Sequence, residues 1–194
     1  GKFISDFFLF QDCHTIYLDA ASSDAAELKM RLGMYKLRAD VTINDSTLKV
    51  YCGTGREPYN AHSDPRHRSL GWRLYGSREG EDGSDWTGLR VAAIIPATAI
   101  ELTSNSYILE YGFARINGVD FKKGCYVGQE ITARMKHKAK LRKGLVQVKV
   151  DGQVAIGTPI EANGRQIGNV FSQSEGNGLA HLRFDQATGQ LEAG

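Results

Sequence analysis

A cysteine placed between a pair of lysines and the start of a helix pattern is the feature of this 194-residue chain with the clearest chemical content. It lies in the run Lys123-Gly124-Cys125-Tyr126-Val127-Gly128-Gln129-Glu130. Gly124 and Gly128 permit tight backbone geometry on either side of the thiol. From Gln129 the residues follow a helical period, with Ile131 and Met135 on one face at i, i+4 and Arg134 and Lys138 beside them. A helix start presents free backbone N–H groups and the positive end of the helix dipole. Lys122 and Lys123 add charge of the same sign, a setting that favours a reactive thiolate. Two readings stay open on the residues alone. One is a reactive, anion-adjacent cysteine. The other is a small buried residue whose flanking glycines only shape a turn, because unpaired cysteine packs readily in cores.

The surrounding charge is uneven. Residues 122–143 hold eight Lys/Arg against one acid, while the whole chain carries a formal charge of +2. The cluster comprises Lys122, Lys123, Arg134, Lys136, Lys138, Lys140, Arg142 and Lys143, with His137 among them. A positive patch on an otherwise acidic body attracts anionic partners such as a glutamate tail, a phosphate or RNA; the alternative is a solvated basic helix face. Tyr126 is its one interleaved aromatic, so RNA contact has weak support and no stacking platform is expected. Other chemistry is sparse. The five histidines show no ligand spacing with Cys or acids, and no metal is expected. Cys13, Cys52 and Cys125 are far apart and form no C-x-x-C pair, so neither zinc nor a self-contained iron–sulfur site is expected. Cys13 and Cys52 fall in strand-like apolar contexts and are expected to react more slowly than Cys125. Reduced thiols fit a cytoplasmic protein. No G-x-S-x-G elbow is present, which disfavours a Ser–His–Asp hydrolase.

The elements that must position these residues follow from hydrophobic period. Residues 3–10 and 15–18 read as two strands joined through Gln11-Asp12. Asp24 opens a helix, with Glu27 three residues on as a capping box and Leu28, Leu32 and Tyr35 as its apolar stripe. Residues 41–43 and 48–52 read as strands flanking the turn cluster Asn44-Asp45-Ser46. Residues 70–75 form another strand, 77–85 a surface loop, and 86–93 a short helix stopped by Pro96. Asp64-Pro65-Arg66 is a turn, and Arg66 and Arg73 are candidates for salt bridges. Trp72 and Trp86 read as core or pocket wall. From 145 to 150 apolar residues alternate with period two, and closely spaced glycines then mark turns, which points to a small antiparallel sheet or barrel. The fold class is α+β. The boundary falls near Arg142, dividing 1–142 from 143–194. No apolar run approaches a membrane span, so no membrane partner is expected.

The run 121–134 also resembles the signature of the YgfZ-type folate-binding proteins. These are relatives of the glycine-cleavage T-protein that act in iron–sulfur cluster biogenesis and maintenance. Further matches follow in order: Gly1-Lys2-Phe3-Ile4-Ser5-Asp6, Asp64-Pro65-Arg66, Leu70-Gly71-Trp72-Arg73, Leu89-Arg90, Gly157-Thr158-Pro159, Gly164-Arg165-Gln166-Ile167-Gly168 and Leu179-Ala180-His181-Leu182-Arg183. The resemblance spans nearly the whole chain and implies a few tens of residues ahead of the point that matches Gly1. It implies a T-protein-like fold, a ferredoxin-like β-β-α-β-β region followed by a C-terminal antiparallel β-barrel. It implies tetrahydrofolate as cofactor, iron–sulfur client proteins as partners, and a link to tRNA modification. Carried over residue by residue, it makes Cys125 the functional thiol. Asp6, Arg90, Glu110, Lys123, Tyr126, Gln129, Glu130 and Arg134 become the folate-binding candidates.

The departures matter for activity. The aminomethyltransferase branch is the competing function, and it carries its catalytic carboxylate where this chain has Ser5. A serine hydroxyl cannot stabilise a developing ammonium as a carboxylate does. The T-protein glutamate that bonds the pterin corresponds here to Ala92, which offers no acceptor. Ahead of the signature the family places a proline and an asparagine where this chain has Ile108 and Gly112. The resemblance therefore implies an accessory protein and not an active aminomethyltransferase.

Overall fold

The computed structural model describes residues 1–76, 83–137, 140–187 and 192–193. The expected loop at 77–85 falls outside these residues over 77–82, as does Lys138. The chain separates into two compact units, one of Ile4–Leu48 and one of Gly1–Phe3 with Lys49–Gly194.

In the smaller unit, β1 (Phe7–Asp12) and β2 (Thr15–Ala20) form an antiparallel hairpin with Asp12 opposite Thr15. The two-residue turn is Cys13-His14, two residues beyond the expected Gln11-Asp12, and Cys13 takes the positive φ of 49° that such turns demand. Phe10 stacks on Tyr17 across the strands at 4.7 Å, while Phe7, Leu9, Ile16 and Leu18 share the opposite face and are exposed. Helix α1 (Ala25–Tyr35) starts after Asp24 as expected, but no capping box forms. The Asp24 carboxylate accepts from the Ser23 hydroxyl at 2.9 Å, and Glu27 pairs with Arg31 at i, i+4. The expected strand at 41–43 is absent. Lys36 Nζ instead donates to the Val41 carbonyl, and Lys29 pairs with Asp45 across the same stretch. These contacts satisfy the backbone and charges locally, where a strand would need a ladder partner. The β-β-α-β-β sheet is therefore not formed.

Among the described residues the larger unit holds two sheets. Strands β3 (Lys49–Gly53), β4 (His62–Ser63) and β5 (Trp72–Gly76) pair in the order β3-β5-β4. A 3-10 turn at Arg68–Leu70 precedes β5, so the expected strand at 70–75 begins two residues late. Its exit is Gly71, at φ 63°, where a β-carbon would run into the Gly53 carbonyl oxygen. Helix α2 (Trp86–Ala93) is capped by Asp85 and ends at Ile94 in a left-handed conformation, ahead of Pro96. A turn-rich stretch then leads to α3 (Gln129–His137).

The second sheet is antiparallel in the order β10-β7-β8-β9-β6, built from β6 (Lys143–Lys149), β7 (Pro159–Ala162), β8 (Arg165–Ser174), β9 (Asn177–Arg183) and β10 (Glu192–Ala193). Register shifts at Ile160/Glu161 and at Val170/Gln173 bend it. Inward residues Ile160, Ile167, Val170, Ala180 and Leu182 form its core with Val146 and Val148. A separate core gathers Phe3, Leu70, Ile95, Leu102, Tyr111, Phe113 and Ile116, with Trp86 packed against it. Trp72 is buried and donates from Nε1 to the Gly55 carbonyl at 3.1 Å, so both tryptophans are structural.

Candidate functional site

Cys125 sits in an exposed turn four residues before α3. The turn is held from both sides. Tyr126 N donates to Gln129 Oε1 at 3.2 Å and Gln129 N donates to the Tyr126 carbonyl at 3.3 Å, a reciprocal cap on the helix start. Gly128, at φ 87°, supplies the left-handed residue between them. Lys123 Nζ lies 4.6 Å from the centre of the Tyr126 ring. Lys122 N donates to Asp120 Oδ1 at 2.7 Å, which anchors the other end. Helix α3 in turn lies against the start of the chain. Gly1 N reaches the Gly128 carbonyl at 3.4 Å, and any side chain at position 1 would collide with Ile131. The backbone beyond it continues into the large core through Phe3 N to the Ser106 carbonyl and the Lys2–Tyr107 bridge.

The structure thus brings Lys123, Cys125, Tyr126 and Gln129 into one turn, with Glu130 and Arg134 exposed on the helix that follows. Arg90 is engaged elsewhere. Its guanidinium donates to the Ile95 carbonyl at 3.1 Å and the Ser172 hydroxyl at 3.0 Å, and lies 3.4 Å from Glu101 Oε2. Glu101 is fully buried and also accepts from Ala97 N and Ser172 N. This pair ties α2 to β8. Sequence reasoning missed Glu101, although a single acid within the apolar run 94–102 signals a buried carboxylate that needs a cation.

Glu110 is likewise occupied. Its Oε2 lies 3.1 Å from His181 Nε2, and the His181 ring stacks on Tyr111 at 4.8 Å. Burial holds the His181 pKa below the usual imidazole value, outweighing the raising pull of Glu110, and Lys143 lowers it further. Burial also pushes the Tyr111 hydroxyl up. Asp6 belongs to the smaller unit, next to Ser5. Asp64 is buried, holds Arg66 in a two-bond pair at 2.7 and 3.0 Å, and has Arg73 at 3.8 Å, as the sequence suggested for both arginines.

Ala92 lines an open cleft of about 450 Å³ together with Thr54, Asp85, Leu89, Gln147 and Ser174. Asp85 accepts from Gly88 N and from the Ser174 hydroxyl, and these bonds hold its carboxyl below the usual range. Cys13 and Cys52 are exposed, one at the hairpin tip and the other at an outward position on β3, so their strand contexts do not bury them. The neighbouring Asp12 carboxylate pushes the Cys13 thiol up, first through hydrogen bonding and then through charge. Among the described residues no group of three or more His, Cys, Asp or Glu is placed to hold a metal ion, and no helix is long and apolar enough to cross a membrane.

Comparison with known proteins supplies the class. Residues 142–194 match the C-terminal β-barrel domain of CAF17. The mitochondrial iron–sulfur cluster assembly factor IBA57 of Mus musculus is 32% identical over 90% of this chain and 58% of its own length. The Homo sapiens protein of that name is 31% identical over the same shares, and the homologue from Mycosarcoma maydis is 27% identical over 91% of this chain and 48% of its own length. The chain is thus similar to CAF17 in its C-terminal domain and, over most of its length, to proteins named as iron–sulfur cluster assembly factors. The similarity is to CAF17 and IBA57 proteins, and the YgfZ resemblance specifically is not shown by it. The chain spans a little over half the length of the mouse and human relatives it matches, 58% in each case. The cytoplasmic expectation is overturned, because these relatives are mitochondrial proteins and thiol usage alone cannot separate two reducing compartments.

Proposed function

We propose that this chain is an accessory factor in mitochondrial iron–sulfur cluster assembly and that Cys125 is its functional thiol, the atom that meets a cluster or its carrier. The observation that carries the reading is an accessible cysteine in a turn pinned at both ends. Preorganisation of that kind presents a single sulfur ligand without an ordering cost at the moment of contact. A lone thiolate cannot bind a cluster unaided, so the remaining ligands belong to the partner. Similarity to IBA57 assembly factors supports the same reading.

Aminomethyl transfer is not proposed, since Ser5 and Ala92 stand where that chemistry needs acids. Tetrahydrofolate remains a proposed ligand of a T-protein-like fold on the resemblance of 121–134. Arg90 is already paired with Glu101 and Glu110 is hydrogen-bonded to His181, so folate would have to compete with those partners for them. Calorimetry with tetrahydrofolate tests it, and absence of heat at millimolar ligand rejects it.

The test of the main reading is rescue of iron–sulfur enzyme activity in cells lacking the endogenous relative. The chain is expressed as part of the full-length protein. Cys125→Ser is expected to lose most of the rescue with an unchanged melting temperature, whereas Cys13→Ser retains it. Full rescue by Cys125→Ser sinks the proposal.

A further inference from the structure

Phe121 to Lys136 expose an unusual mixture of side chains. Val127 is 99% exposed, Ile131 48% and Phe121 40%, with Tyr126 close behind. Around them Lys122, Lys123, Arg134 and Lys136 are exposed, against Glu130 as the one acid between 121 and 136. Among the described residues none of these four cations has an ion-pair partner. Elsewhere exposed cations do find acids, as Lys29 does at Asp45 and Arg31 at Glu27. Apolar side chains left in water beside unneutralised positive charge are the composition of a contact surface, whose apolar centre is covered and whose charged rim is matched by a partner.

We infer that this face docks an acidic protein surface with an apolar centre, Val127 and Ile131 entering the apolar part and the lysines facing carboxylates. The inference rests on the assembly-factor reading above, for which it describes the partner that Cys125 would meet. Charge complementarity sets the sign of the partner. The aromatic geometry sets its class. A nucleic acid would need free ring faces for base stacking, but Lys123 Nζ sits 4.6 Å over the Tyr126 ring and Lys136 Nζ 4.7 Å over the Phe121 ring. The most exposed apolar side chains of this face, Val127 and Ile131, are aliphatic. They stack with no base but match the apolar centre of a protein surface.

Fluorescence anisotropy with synthetic peptides tests this on the intact chain. The probe is a labelled peptide alternating Asp/Glu with Leu/Phe. The controls are the same peptide with Leu/Phe replaced by Ser, a 20-nucleotide RNA, and phosphatidylserine vesicles. The alternating peptide is expected to bind, weaken at least tenfold in the triple variant Lys122→Glu, Lys123→Glu, Lys136→Glu, and weaken several-fold in Val127→Asp. Circular dichroism checks that both variants stay folded. Cys125→Ser is expected to bind the peptide as the unaltered chain does, which separates this inference from the thiol reading. Docking without thiol function would leave Cys125→Ser fully competent in rescue, whereas thiol function without docking would show rescue by the triple variant. The inference is overturned if the alternating peptide fails to bind, if the Ser control or the RNA or the vesicles bind as tightly, or if charge reversal leaves affinity unchanged.

Discussion

Arg90 and Glu101 illustrate how one buried charge recruits its surroundings. Glu101 has no exposure and accepts from Arg90, Ala97 N and Ser172 N, so both oxygens of its buried carboxylate are partnered inside the molecule. Removing one partner of such a pair strands the other. Arg90→Ala is expected to cost about 3–5 kcal/mol in urea unfolding, and a loss below 1 kcal/mol would show that the pair contributes nothing. His181 carries the pH dependence of the same unit. Its folded pKa is held below the ordinary 6.5 by burial, so the neutral ring favours folding. That contribution is fully present above the unfolded pKa and is lost as pH falls through the folded one. The melting temperature should therefore drop on acidification from pH 7.5 to 5, more in the unaltered chain than in His181→Gln. Identical pH profiles for the two would remove His181 from the account.

At the scale of elements, the turn before α3 is the most consequential piece. Nine residues make a short helix that isolated propensity would not sustain, so its start depends on the Tyr126–Gln129 cap and on packing against the Gly1 segment. A β-carbon at Gly128 meets nothing within 4 Å, so substitution there tests backbone strain alone. Gly128→Ala is expected to cost about 1 kcal/mol locally, a roughly fivefold faster amide exchange at the start of α3. The global melting temperature should stay nearly constant, and unchanged exchange would mean the turn is not under conformational tension. The β1–β2 hairpin behaves differently. Its Phe7, Leu9, Ile16 and Leu18 face is exposed, and two strands alone are only marginally stable in water, so this unit is the weaker of the two.

The whole molecule ties together distant parts of the chain. Phe3 packs edge-on against Phe113 at 6.1 Å and is buried in a core otherwise drawn from residues 70–116. Phe3→Ala is expected to destabilise the larger unit by about 3–5 kcal/mol, read as a shift in its chemical unfolding midpoint. A shift confined to signals from the 4–48 unit would contradict this division of the chain. The charge distribution works at the same scale. The body is acidic while 122–143 is strongly basic, so the proposed thiol lies inside the positive region that steers an anionic partner.

Local information was enough for the pieces that depend on near neighbours. Helices α2 and α3 follow from apolar period, and the antiparallel strands from 143 onward follow from period-two alternation and glycine spacing. The turn around Cys125 was legible because its glycines, lysines and capping residues lie within a few positions of one another. What stayed hidden depends on partners far away in sequence. Arg90 looked like a ligand-binding cation until Ser172, 82 residues on, and the buried Glu101 claimed it. Glu110 looked free until folding set it against His181, 71 residues away. The strand expected at 41–43 had the right residue types but no ladder partner. The sequence by itself determined which segments could be helix or strand and where an accessible thiol could stand, because those follow from steric preference and period. Only the tertiary structure decided which charges are free to meet a ligand, because a buried charge is stable only where the fold delivers its counter-charge.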